Sequence, residues 1–137
     1  MLNRGDVEGA RTTLDRALRI VEDAWGPSHV DVARVVEMFG FHYYQKGEYD
    51  EALRRYKRGL EIREEIFGAG HGATGWNLYD QACILALSGD ADGALATLHR
   101  ALGVGWANGR IFEDDDFDSL RGDPEFEAVL EEVRGRL

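Results

Sequence analysis

Cysteine occurs once in these 137 residues, at Cys83, which excludes an internal disulfide. Proline occurs twice, at Pro27 and Pro124, so little in the chain interrupts a helix. No run of about 18 apolar residues exists, which excludes a membrane-spanning helix. The start, Met1-Leu2-Asn3-Arg4-Gly5, lacks the apolar stretch of a secretory leader. Together these absences point to a cytoplasmic protein. Positive charge is also short. Acidic residues number 26 against 16 basic ones, a net charge of −10. Such a surface repels phosphate backbones and anionic membranes, so neither nucleic acid nor membrane is an expected partner. It favours solubility and a partner of basic character. The hydrophobic fraction of 44% is enough for the core of one domain.

What the chain does have is a repeat. Shifted by 42 residues, three segments align without a gap, beginning at Gly5-Asp6, Gly47-Glu48 and Gly89-Asp90. Each then carries an acid (Glu8, Asp50, Asp92), an alanine (Ala10, Ala52, Ala94) and a large apolar residue (Leu14, Tyr56, Leu98). An arginine (Arg16, Arg58, Arg100), a small residue (Ala17, Gly59, Ala101) and a leucine (Leu18, Leu60, Leu102) follow. The set closes with Ile20, Ile62 and Val104. Ala52, Tyr56, Gly59 and Leu60 fall on one helical face, and so do Ala33, Val36, Phe39, Gly40 and Tyr43 before them. The small Gly40 and Ala52 let two helices approach closely, and Gly47 supplies a C-cap between them. Each unit is therefore a helical hairpin. The spacing predicts helices over 6–25, 29–46, 48–67, 72–88 and 90–103, then an irregular stretch over 104–122 with at most one short turn. A last helix is predicted over 124–136, opened by Asp123-Pro124-Glu125 and striped by Phe126, Val129, Leu130 and Val133. It reads as a cap on the array.

Other constellations carry little chemistry. His29 and His71 recur at the repeat period, and His42 and His99 have no ligand at helical spacing, so no metal is expected. Asp114, Asp116, Asp118 and Glu125 match positions 1, 3, 5 and 12 of a calcium loop, but Ser119 stands where glycine is required and Pro124 starts a helix inside it. That acidic run reads instead as a solvated or cap-forming loop, or as a docking point for a basic partner. Gly103 to Gly109 is glycine-rich but follows a helix and lacks a phosphate-loop lysine. Cys83 reads as a buried small residue. Neither an enzyme nor a cofactor is expected.

The run Phe39-Gly40-Phe41-His42-Tyr43-Tyr44-Gln45-Lys46-Gly47-Glu48-Tyr49-Asp50-Glu51-Ala52 resembles the tetratricopeptide repeat. The period, with linkers Trp25-Gly26-Pro27-Ser28-His29 and Phe67-Gly68-Ala69-Gly70-His71, is similar to the longer variant of kinesin light chains and many bacterial proteins. Asn77 to Cys83, Ser88-Gly89-Asp90 and Phe117 to Phe126 are similar to the closing segment of bacterial arrays. The resemblance implies that the first helix of each hairpin lines a concave, peptide-binding groove. Carried onto this chain, that groove is Arg34, Glu37, Phe41, Tyr44 and Gln45 on one helix, with Trp76, Tyr79, Cys83, Ala86 and Leu87 on the next. Kinesin light chains hold an asparagine pair there; Glu37-Met38 and Tyr79-Asp80 stand at those places here.

The expected fold is thus all-α, an α-solenoid of antiparallel hairpins with about two and a half repeats and a C-terminal capping helix. It forms one domain, with a half repeat over 1–28, repeats over 29–70 and 71–103, and loop and cap over 104–137. Met1 to Arg4 align with Tyr43 to Lys46, the last turn of a groove-lining helix. The helix expected over 6–25 therefore lacks a partner in the register, and its face (Ala10, Leu14, Ala17, Leu18) needs cover. A longer array could supply that cover, or a second copy could do so as a homodimer. The expected function is a scaffold that binds a protein or peptide. The alternative is self-association or regulation within a larger bacterial protein.

Overall fold

The computed structural model describes the backbone of residues 4–137, with the side chains of residue 9 and of residues 11–137. The fold is all-α, built of helical hairpins. Among the described residues there is no strand, and no helix is long and apolar enough to cross a membrane. The chain forms two compact units, Met1–Ala69 and Gly70–Leu137.

The first unit holds α1 (Arg4–Trp25), α2 (Val30–Gln45) and α3 (Tyr49–Phe67). His29 sits ahead of α2, and its Nδ1 accepts from the Asp31 backbone N–H at 3.1 Å. The periodic histidine is therefore a helix cap. Gly47 takes φ +79°, and the Glu48 N–H donates back to the Tyr43 carbonyl at 2.9 Å, which reverses the chain into α3. The predicted close approach is present. A Cβ at Gly40 would lie 2.6 Å from the Tyr56 ring, and one at Gly59 would lie 2.7 Å from the Glu37 side chain. Val32, Ala33, Val36 and Ile62 form a buried cluster, with Leu18 and Val21 of α1 packed against it.

The second unit holds α4 (Gly75–Leu87), α5 (Ala91–Gly103), α6 (Arg110–Glu113) and α7 (Pro124–Arg136). The helix predicted over 72–88 divides. Residues Gly72–Thr74 form a 3₁₀ turn because the Thr74 N–H and hydroxyl both donate to the His71 carbonyl, at 3.1 and 2.8 Å. His71 Nδ1 accepts from the Ala73 N–H at 3.0 Å, repeating the role of His29. The stretch over 104–122 is more ordered than expected. Asn108 accepts from the Arg110 N–H to open α6, and Asp114 accepts from the Asp116 N–H to open a second 3₁₀ segment, Asp115–Leu120. Asp123 caps α7 through the Glu125 and Phe126 N–H groups at 2.9 and 3.2 Å. Phe126, Val129, Leu130 and Val133 are buried, each stabilising the unit by about 1.5–3 kcal/mol. The Arg136 guanidinium donates to the Leu102 carbonyl at 2.8 Å, tying α7 to the end of α5.

Candidate partner-binding surfaces

In the first unit a groove of about 340 Å³ runs between α1 and α2. Its lining is Gly9, Thr13 and Leu14 from α1 and Met38, Phe41, His42 and Gln45 from α2. Helical geometry selects these residues. Arg34, Met38, Phe41 and Gln45 follow at i, i+4, i+7 and i+11 and form one stripe along α2. All four are exposed; Phe41 is 50% accessible and Met38 55%. The Phe41 ring stacks on the half-buried Tyr44 at 5.9 Å, and Arg34 pairs with Asp31 at 3.5 Å. Met38, His42, Gly9 and Thr13 are absent from the sequence-derived groove, and Leu14 was expected on the face needing cover instead. Met38 was legible there, lying one turn from both Arg34 and Phe41 on the same stripe.

Glu37 corrects the expectation. Its carboxylate turns away from the stripe and accepts from Arg63 at 2.6 and 2.9 Å, above the bare backbone of Gly59. That hydrogen bonding raises the Arg63 pKa above its ordinary value, with burial opposing it. Glu37 therefore locks α2 to α3.

The face expected to need cover is also redistributed. Ala10 lies outside the described side chains. Leu14 is buried, and Ala17 and Leu18 are half-buried. Leu18 packs on the cluster around Val32, because α2 reaches back over this side of α1. What stays open on the neighbouring stripe is Gly9, Thr13 and Ile20, with Ala17 half-buried between them. Ile20 is 66% accessible, whereas Ile62, its counterpart one repeat later, is fully buried.

In the second unit the corresponding helix face is occupied. Tyr79, placed in the groove by the resemblance, has no exposure at all. Trp106 stacks on it at 4.5 Å, Phe117 tilts against it at 5.7 Å, and its hydroxyl donates to Asp114 Oδ2 at 2.6 Å. Cys83 and Ala86 are buried as well, and the Cys83 thiol lies 3.7 Å from the same carboxylate oxygen. Only Trp76 and Leu87 of this set reach solvent, with Trp76 edge-on to Tyr79 and Trp106. The covering segment is the stretch after α5. Its aromatic and acidic residues serve as a lid on α4.

Cys83, Asp114 and Asp116 place ligand-type atoms within 4.8 Å of one another. Asp114 is already engaged, with Oδ2 on Tyr79 and Oδ1 on the Asp116 N–H, and Arg110 stands 3.6 Å away. Burial pushes the Cys83 thiol well above its ordinary pKa, and the Asp114 charge adds to the rise. Burial likewise raises the Tyr79 phenol. Neither is poised to act as a nucleophile or base near neutrality. Three of the four calcium-loop positions are engaged with other partners. Asp118 pairs with Arg121 at 3.4 Å and Glu125 with His99 at 3.2 Å, while Asp114 anchors the lid.

A family profile described as tetratricopeptide repeat matches residues 1–65 and again residues 36–104. The chain belongs to the tetratricopeptide repeat family. No curated protein matches it. Tetratricopeptide repeats mediate protein–protein interaction, and this chain is a helical-repeat scaffold of that kind.

Proposed function

We propose that this tetratricopeptide repeat protein binds a protein partner through the furrow between α1 and α2, with Phe41 and Met38 as its anchors. The supporting observation is that two large apolar side chains stand half-exposed on the rim of a groove whose lining is mostly apolar. A solvent-facing apolar patch beside a concavity is the usual mark of an interface. On the corresponding face of α4, Tyr79 is covered by Trp106 and Phe117 and held by Asp114, all from the chain's own later segment. Charge supports the same choice. Residues 1–69 carry eleven basic and thirteen acidic side chains, while residues 70–137 carry five and thirteen. The furrow thus lies on the nearly neutral unit and selects by shape and apolar contact. A partner of basic character, in a cytoplasmic setting, suits the chain's net charge of −10 and its single cysteine.

The test is a displayed peptide library panned against the protein. Enriched sequences are expected to share apolar anchors, and Phe41→Ala should weaken them about thirtyfold, the scale of an interface hot spot. Enriched peptides indifferent to Phe41 and Met38 would overturn the assignment.

A further inference from the structure

We infer that the partner segment is itself an amphipathic α-helix, laid lengthwise in the furrow with a stripe patterned like that of α2. This rests on the protein-binding reading of the same furrow and names the class of ligand. The reason lies in the repeat register, because the molecule contains the filled version of this site. On α3, Ala52, Tyr56, Gly59 and Ile62 are all buried. They meet α2, whose Gly40 lies over Tyr56, whose Glu37 lies over Gly59, and whose Val32, Ala33 and Val36 enclose Ile62. The α1 counterparts of these four are Ala10, Leu14, Ala17 and Ile20; Leu14 is buried and Ala17 half-buried, but Ile20 is two-thirds exposed where Ile62 is fully covered.

The open surface also has the dimensions of a helix seat. On α1 the stripe Gly9, Thr13, Ala17 and Ile20 spans eleven residue steps, or about 16 Å at 1.5 Å rise per residue. On α2 the stripe from Arg34 to Gln45 spans the same length. Gly9, Thr13 and Ala17 on the α1 side are small, and an added Cβ at Gly9 would meet nothing within 4 Å. A helix backbone can therefore approach closely on that side, while Met38 and Phe41 wall the other. A helix with β-branched and small residues at i, i+1, i+4 and i+8, as in Val32, Ala33, Val36 and Gly40, repeats the packing seen on α3.

The probe is a fluorescently labelled synthetic peptide with the sequence of residues 29–47, added in trans to the whole protein and followed by anisotropy. Saturable binding is expected, with a gain in peptide helicity. Ile20→Glu, which puts a charge at the end of the α1 stripe, should weaken it about tenfold or more. Because Ile20 faces solvent, the variant's circular dichroism should match wild type. Thr13→Trp, which fills the groove from the α1 side, should have the same effect without introducing charge. A peptide carrying Asp at Val32 and Val36 should not bind. Failure of the wild-type peptide, or binding indifferent to Ile20→Glu, overturns the inference. If Phe41-dependent library peptides are extended and the helix peptide fails, the helical ligand falls while the furrow stands. If neither binds, both fall. If light scattering shows a doubled mass that Ile20→Glu abolishes and the peptide cannot compete away, the occupant is a second copy, and the foreign helix is overturned.

Discussion

The Tyr79 hydroxyl donates to Asp114 Oδ2 at 2.6 Å, joining α4 to a segment 35 residues further along the chain. Asp114 uses its other oxygen to cap the 3₁₀ segment that carries Phe117 under Tyr79. One carboxylate thus sets both the local turn and its seat. Asp114→Ala leaves a buried phenol unsatisfied and removes the cap, and each loss costs about 1–2 kcal/mol. Tyr79→Phe removes only the first and should cost less. Urea unfolding of both variants and the double mutant checks this. A shared hydrogen bond predicts that the double mutant is less destabilised than the sum.

Gly40 and Tyr56 form a second coupled pair. A Cβ at Gly40 would lie 2.6 Å from the ring, so Gly40→Ala should destabilise the first unit by about 1–3 kcal/mol. One repeat later the same two positions hold Ala82 and Leu98, both fully buried. Adding Tyr56→Leu to Gly40→Ala recreates that pair and should recover much of the loss. Thermal unfolding of the single and double variants measures the rescue. No recovery would mean that the two positions do not pack as a unit.

These pairs also show what the sequence could reveal. The small-for-large exchange at Gly40 and Tyr56 is local and periodic, so the hairpin and the crossing were legible from spacing. The predicted boundary of α7 was legible too, since Asp123-Pro124-Glu125 acts through neighbouring backbone groups. Tyr79 was misplaced for the opposite reason. Its environment is set by Trp106 and Asp114, which lie outside the repeat and have no register to follow. Asp114 was hidden in a run of acids, where composition cannot separate an anchor from a solvated neighbour. Glu37 was misread because Arg63, on another helix, holds its carboxylate inward over the room that Gly59 leaves.

Cys83 yields a chemical prediction. Burial holds its thiol above the ordinary range, so the folded state favours the protonated form. The stabilisation is fully present below the ordinary thiol pKa of about 8.5 and is lost as pH rises above it, because only the unfolded chain then ionises freely. Native protein should therefore resist iodoacetamide at pH 8 and be modified quickly in urea. Stability should decline through the alkaline range, and Cys83→Ala should flatten that decline. Mass spectrometry of alkylation and urea midpoints across pH read both effects. Rapid modification of the folded protein would show that the lid over α4 opens.

Phe41 and Phe117 are the same residue in opposite settings, one 50% exposed at the furrow and the other fully buried beneath Tyr79 and against Phe126. Phe117→Ala leaves a cavity in the second unit and should cost about 3–5 kcal/mol. Phe41→Ala removes only a half-exposed ring, so its effect should stay within about 0.5–1 kcal/mol. Binding should show the reverse order. Phe41→Ala loses the partner while retaining helicity, and Phe117→Ala, at temperatures where it remains folded, retains the partner. Circular dichroism melts paired with peptide anisotropy on the two variants measure this. A large stability loss from Phe41→Ala would make that ring part of the core and close the furrow as a binding surface.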